Sequence, residues 1–358
     1  MTNCLKDMNQ QNIFNKMLVD FMLLHGYLLD NPGLMTGKAG IMLSLYEVSQ
    51  IDKREIIKET AFELLKEVLA WNIKEYSFKK GKAGIACALL YTIENNFINC
   101  DFNELYGIEL QEIICYIKSI KIKETNIEEC IGYLVFLFNI KNEISIDDFE
   151  EILNVLTSIL VDYYQFVPVN PIELRFFYSS AAKIFTIYNS SFDRDKYYLD
   201  NVTCSIINIH EQLEQKAYIC MNLKFAFHFF HYSKKCQKKR LILNSQSLIN
   251  NILQNTINNT MSIEEAIDSY YIINELFKEE KNPFQFEHIY KWIDSLFTCE
   301  NLINKQSLLN QGKLSSLVSL EYGIPKFMLM RCMLNKEMIL MDILQVLFDI
   351  LKCLRGGC

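Results

Sequence analysis

A glycine-rich segment that occurs twice constrains the fold more than any other feature of this chain. Residues Gly33–Ile41 read GLMTGKAGI, and the shorter GKAGI recurs at Gly81–Ile85. The shared Gly-Lys-Ala-Gly therefore begins at two points that lie 44 residues apart. Each copy opens an apolar run, and glycine there allows backbone to approach its neighbours closely because it has no Cβ. Periods of this size are typical of helical arrays and closed rings.

The period continues along the chain with weaker motifs. Apolar segments open near residues 40, 84, 132, 181, 225, 269 and 315, in steps of 44 to 49 residues. Between them lie segments that are apolar along one helical face and charged along the other, a pattern typical of helices at the surface of a core. These second segments are residues 53–72, 103–122, 147–164, 195–215, 240–255, 286–301 and 335–354. The sequence thus predicts two layers of helices, the nearly all-apolar kind inside.

Seven such units predict an all-α fold, which could be an open solenoid or a closed α/α toroid. The nearly all-apolar first helices favour closure, because an open solenoid would expose one of their faces. We therefore expect one α/α-toroid domain over residues 1–358, built from about seven inner and seven outer helices. A short flexible tail is expected from about residue 355.

Composition restricts the partners and the compartment. Half of the residues are hydrophobic, which is enough for a large core, and the formal net charge of −7 does not favour nucleic acid. No signal-peptide pattern and no run long enough to span a bilayer are present. Many of the twelve cysteines, such as Cys87, Cys115, Cys130 and Cys353, fall in apolar segments and are expected to be buried thiols. We predict a cytoplasmic protein.

The two glycine motifs resemble the Gly-x-x-Gly motifs of the lanthionine synthetase C-like (LanC-like) family. The resemblance is specific in the first two repeats and extends over the chain through the seven-fold period. It implies a toroid of seven inner and seven outer helices. It also implies a central zinc ion, at which a peptide cysteine adds to a dehydroamino acid to form a thioether ring in lanthipeptide biosynthesis.

The residues that hold zinc in this family are mostly replaced here. Such a site needs three protein ligands and an open fourth position. By the resemblance, Cys220 takes the first ligand position, and Glu264 and Glu265 take those of the Cys-His pair. Phe177 stands where the family has its catalytic histidine. His231 cannot complete a site with Cys220, since 11 residues of helix separate them by roughly 16 Å. We therefore expect no catalytic residue and no cofactor.

A lysine recurs at the same position in three of the seven repeats. Lys38, Lys82 and Lys313 each stand two residues before the mark of units one, two and seven. If the ring closes, these units are neighbours, and the lysines would form a basic arc that captures an acidic ligand such as a leader peptide. The alternative is that they are solvated loop lysines.

Three functions follow from these patterns. The first is a LanC-like pseudoenzyme of a bacterial peptide-modification system, which binds a peptide or acts as a scaffold for other modification enzymes. The second is an active zinc-dependent cyclase that uses other cysteines. The third is an α/α-toroid glycosidase, which needs a pair of carboxylates. Its candidates are Glu264, Glu265 and Asp268.

Overall fold

A computed structural model of the chain describes residues 16–121, 126–191, 193–213 and 223–255, together with Ile272. Within these ranges the secondary structure is helical and no strand occurs, which confirms the all-α prediction for them. Helix α1 covers the described residues 16–25, and a 3-10 turn follows at Gly26–Leu28. The other helices are α2 Lys38–Ile51, α3 Glu55–Ala70, α4 Lys82–Glu94, α5 Phe102–Lys118, α6 Ile127–Asn139, α7 Ile146–Tyr163, α8 Pro171–Ser190, α9 Asp193–Leu213, α10 Leu223–Lys235 and α11 Lys239–Asn255.

These helices fall into two compact units. The described residues up to Leu110 form the first unit, and those from Gln111 to Asn255 belong to the second. The single domain over residues 1–358 and the closure of seven units stay predictions.

The first unit shows the predicted alternation of two kinds of helix. Every residue of α2 from Lys38 to Val48 is buried, as is every residue of α4 from Ala83 to Thr92. Helix α3, in contrast, buries one stripe at helical spacing and exposes the rest. That stripe consists of Ile57, Thr60, Ala61, Leu64, Leu65 and Val68. Helix α2 packs against both α3 and α4, so an inner helix contacts the next inner helix and its own outer helix.

The second unit repeats this arrangement. Helix α6 is buried without interruption from Cys130 to Asn139, and α8 and α10 are also mostly buried. Consecutive inner helices are in contact, α6 with α8 and α8 with α10. Outer helices α7, α9 and α11 each pack against the inner helix that precedes them. The sequence period therefore corresponds to a packed pair of inner and outer helices in α2–α3, α6–α7, α8–α9 and α10–α11.

Side-chain caps fix where several helices of the second unit begin. Ser145 accepts the backbone N–H of Asp148 at 3.1 Å at the start of α7. Asn170 accepts the N–H groups of Ile172 and Glu173 at 3.0 and 2.9 Å, and Pro171 takes the first position of α8, where its missing N–H is no loss. Capping side chains and a proline therefore mark these two helix starts. No helix in the described part of the chain is both long and apolar enough to cross a membrane.

Candidate binding site at the glycine loops

The two glycine motifs form loops with the same backbone hydrogen bonds. Helices α2 and α4 each begin after a glycine that offers no side-chain cap. Their first N–H groups bind carbonyls seven residues earlier instead, from Lys38 to Asn31 at 3.0 Å and from Lys82 to Glu75 at 2.9 Å. The next N–H of each helix repeats this pattern, with Pro32 and Tyr76 as the acceptors. The loops thus satisfy the free donors of a helix start with main chain.

Glycine is required in both loops because backbone passes where a side chain would stand. A Cβ on Gly37 would lie 2.5 Å from the Asn31 carbonyl oxygen, and one on Gly81 would lie 2.6 Å from the Ser77 nitrogen. Real Cβ atoms do not approach backbone this closely. The repeated glycine therefore has a steric cause within each loop.

The two loops also pack against each other. A Cβ on Gly33 would lie 2.8 Å from the Lys80 carbonyl, and one on Gly84 would lie 2.9 Å from the Leu34 Cβ. The Met35 N–H donates to the Lys79 carbonyl at 2.9 Å. Glycine at these positions sets the separation of the first two repeats. The primary role of the motif is therefore to let the two loops pack together.

Lys38, a predicted binding residue, is held inside the protein. Its residue is 6 % exposed, and its ammonium group forms an ion pair with Glu67 on outer helix α3. The same ammonium lies 5.7 Å from the ring centroid of Trp71, where α3 ends. These contacts connect the start of an inner helix to the end of its outer helix, and they favour a structural role for Lys38.

Lys82, the equivalent residue in the second loop, has different surroundings. It is half-buried, and its ammonium lies 5.5 Å from the ring centroid of Tyr76 in the same loop. Its backbone carbonyl accepts a hydrogen bond from the Tyr106 hydroxyl at 3.4 Å. The two lysines are equivalent in sequence but not in environment. Lys313, the third member of the predicted arc, lies outside the described residues.

Phe177 fills the position that the resemblance gives to the catalytic histidine. It is buried in α8, and its ring makes edge-on contacts with Tyr164 at 5.8 Å and Tyr178 at 5.1 Å between centroids. A phenylalanine ring cannot transfer a proton. The place is therefore part of an aromatic core.

A buried histidine that the sequence analysis did not single out lies nearby. His210 of α9 is 3 % exposed, and its Nδ1 lies 3.3 Å from the Tyr178 hydroxyl. Its ring contacts Phe225 and Phe229 of α10. Burial lowers the pKa of His210 to about 4, so the ring is neutral at pH 7. The sequence feature that could have predicted its burial is its position on the apolar stripe of α9, which includes Ile206.

His228 and His231 do not form a metal site with other described residues. His228 Nε2 lies 2.9 Å from the Thr186 hydroxyl, and its carbonyl accepts from the Asn189 amide at 3.0 Å. The ring of His231 packs against Phe227 at 4.4 Å. Among the described residues no group of three or more His, Cys, Asp or Glu side chains could hold a metal ion. Cys220, Glu264, Glu265 and Asp268 lie outside those residues.

The described cysteines are buried, intermediate or exposed, and Cys353, which was predicted to be buried, lies outside the described residues. Cys87 and Cys130 are buried as predicted, and burial raises the pKa of both thiols, which keeps them protonated. Cys115 is exposed, so its prediction as a buried thiol was wrong. It stands in an apolar run, IICYI, but falls on the outward face of α5, because only one side of this helix is covered.

The fold and the loops define an α-helical repeat protein. No protein-family model matches the sequence, and no curated protein matches it either. The resemblance to the LanC-like proteins therefore stays a prediction from the glycine motifs and the sequence period.

Proposed function

We propose that this chain is a non-catalytic LanC-like α/α toroid that binds an acidic peptide in a peptide-modification system. The observation that carries the proposal is the pair of docked glycine loops. Both keep the same hydrogen bonds and the same steric need for glycine, while the place of the catalytic histidine holds a buried phenylalanine. The glycine loops are kept although the residue that would transfer a proton is absent, and this combination favours a binding function over a catalytic one.

The loop geometry supports membership of the toroid class. Gly33 faces the Lys80 backbone and Gly84 faces the Leu34 Cβ, and these two contacts set the distance between repeats one and two. A motif with that role has reason to recur in each unit of a closed ring. In the proposed ring, units one and seven would be adjacent, which would place Lys313 beside the first two loops.

Recognition of the peptide is assigned to Lys82 and Lys313. Lys38 is buried and so contributes mainly to the frame, whereas Lys82 is half-buried and reaches the surface. A basic pair at the loop side of the inner helices would attract carboxylates and would select peptides by charge.

The first test separates binding from cyclisation. Protein purified under reducing conditions without chelator is analysed for zinc and incubated with a peptide that contains cysteine and dehydroalanine. Ring formation leaves the mass unchanged, so free thiol is counted by alkylation. We expect far less than one zinc per chain and no loss of thiol. About one zinc per chain that is lost in Cys220→Ala, together with thiol loss, would establish the cyclase alternative.

The second test measures recognition by fluorescence anisotropy. A labelled peptide rich in Asp and Glu is compared with its Asn and Gln counterpart, and the acidic peptide should bind more tightly. Lys82→Glu and Lys313→Glu should weaken its binding. Lys238→Glu, at an exposed turn of the second unit, is the matched control with the same charge change. Equal affinity for both peptides, or no effect of either substitution, would overturn the proposal.

A further inference from the structure

A cavity of about 500 Å³ opens in the first unit, between outer helix α3 and the segment that leads into α5. Small-molecule sites have volumes of about 300–1,000 Å³, so this cavity is large enough for a ligand. Its walls are mainly apolar, and they include Tyr46, Phe62, Leu65, Leu69, Phe97 and Ile98. None of the glycine-loop residues described above lines it.

Tyr46 is a buried wall residue of this cavity. The residue is 1 % exposed, and its ring stacks on Phe97 at 5.1 Å between centroids. Its hydroxyl is buried, and within the described residues it has no hydrogen-bond partner. Burial raises the pKa of Tyr46 to about 12, so the hydroxyl keeps its proton and remains a donor. The hydroxyl is closed to solvent, so Tyr46 lines the cavity with its ring.

The rim of the cavity is cationic. Lys58 and Lys66 of α3 line it, and no aspartate or glutamate is among its lining residues. Lys66 pairs with Glu63 at 2.6 Å, but both side chains are 54 % exposed, and an ion pair in water contributes little. A carboxylate on a ligand could therefore replace Glu63 at low cost.

The apolar part of the wall is open to water. Phe62 is 46 % exposed and Leu69 is 37 % exposed. Together with Lys58 and Lys66, they recur every three or four residues of α3 and so share one face of the helix. This face combines apolar surface with positive charge, which is the complement of a molecule with an apolar chain and an anionic head.

We propose that this cavity binds a small aliphatic carboxylate of medium chain length. The chain packs against Phe62, Leu69 and Phe97, and the carboxylate accepts hydrogen bonds from the rim lysines. This site is separate from the proposed peptide-binding loops, and the proposal does not depend on the proposed function.

The test uses Cys100, an exposed thiol that lines the cavity. Iodoacetamide alkylation of Cys100 is followed by peptide mass spectrometry in the full chain, with decanoate as the probe below its micelle concentration. The exposed thiol of Cys115 does not line the cavity and reports non-specific effects in the same sample. At tenfold excess over Kd, decanoate should slow Cys100 alkylation by about tenfold and leave Cys115 unchanged.

Matched ligands and variants make the outcome decisive. Decanol should protect Cys100 less than decanoate does, and decylamine should not protect it. The double variant Lys58→Glu/Lys66→Glu changes exposed side chains and should abolish protection, whereas Lys53→Glu, an exposed lysine outside the cavity lining, should not. Equal protection by decylamine, protection retained in the double reversal, or equal slowing of Cys115 would overturn the proposal.

Discussion

Gly33 lies against the backbone of Lys80 so closely that a Cβ on Gly33 would be 2.8 Å from the Lys80 carbonyl carbon and oxygen. The two residues belong to the glycine loops of successive repeats, and the hydrogen bond from Met35 to Lys79 lies beside them. The repeats are therefore connected through main chain, where no side-chain movement can relieve a clash.

Replacing Gly84 by alanine should destabilise the protein. Its Cβ would lie 2.9 Å from the Leu34 Cβ of the first loop and closer still to the Phe78 carbonyl oxygen of its own loop, so both loops would have to shift. Overpacking of this kind costs about 1–3 kcal/mol. Urea denaturation should show this loss in the free energy of unfolding.

Gly107→Ala is the matched control for Gly84→Ala. Gly107 lies inside α5, and the nearest atom to its Cβ would be 3.8 Å away, which is ordinary contact. Alanine is a better helix former than glycine by about 1 kcal/mol, so this variant should be as stable as the parent or more stable. Equal losses in both variants would contradict a steric role for Gly84.

The ion pair between Lys38 and Glu67 predicts unequal effects of its two single substitutions. Glu67→Gln leaves the buried ammonium without its counter-charge and should lower the free energy of unfolding by about 1–3 kcal/mol. Lys38→Met removes the charge and keeps the apolar stem, so it should cost less. The double variant should resemble Lys38→Met. Urea denaturation of all three gives the coupling, and simple additivity would show that the pair does not stabilise the frame.

The periodicity of apolar residues predicted the helical layers well, because that periodicity depends only on which side of each helix is buried. Ile57, Leu64 and Val68 face inward at the spacing that the sequence shows, and inner helices such as α4 are apolar on every side. The partners of polar groups are set by tertiary contacts instead. Nothing in the sequence near Lys38 points to Glu67, which is 29 residues away.

The cavity could not be predicted for the same reason. Tyr46 occurs in an apolar inner helix, where the sequence pattern predicts a core residue. Phe97 follows a short turn after the next inner helix. Their stacking depends on how α2 and α4 pack. Asn96 adopts a positive φ of 58° in this turn, and neither the composition nor the period of the sequence predicts it.

Two buried tyrosines should respond oppositely to loss of the hydroxyl. The Tyr46 hydroxyl has no partner in the described part of the chain, whereas that of Tyr164 donates to Ser180 at 2.9 Å. In the absence of ligand, Tyr46→Phe should leave the free energy of unfolding unchanged or raise it by about 1 kcal/mol, and Tyr164→Phe should lower it by about 1 kcal/mol. Denaturation curves of the two variants compare them directly. A loss in Tyr46→Phe equal to that in Tyr164→Phe would show that the hydroxyl already has a partner.

His210 predicts a loss of stability in mild acid. Its pKa falls from 6.5 to about 4 on folding because burial disfavours the charged ring. Between these values the unfolded state binds more protons than the folded state, so stability rises with pH across this window. The full contribution is present above pH 6.5, and about 3 kcal/mol is lost as the pH falls to 4.

The variant His210→Phe tests this assignment, because phenylalanine fits among Phe225 and Phe229 and does not titrate. The free energy of unfolding, measured from pH 4 to pH 7, should lose much of its slope in the variant. Asp148 provides an internal comparison, since its hydrogen bonds with Lys118 and Ser145 lower the pKa of its carboxyl below 3.8. Its contribution therefore disappears only as the pH falls below that value. A slope between pH 4 and 6.5 that is the same in parent and variant would mean that His210 does not control it.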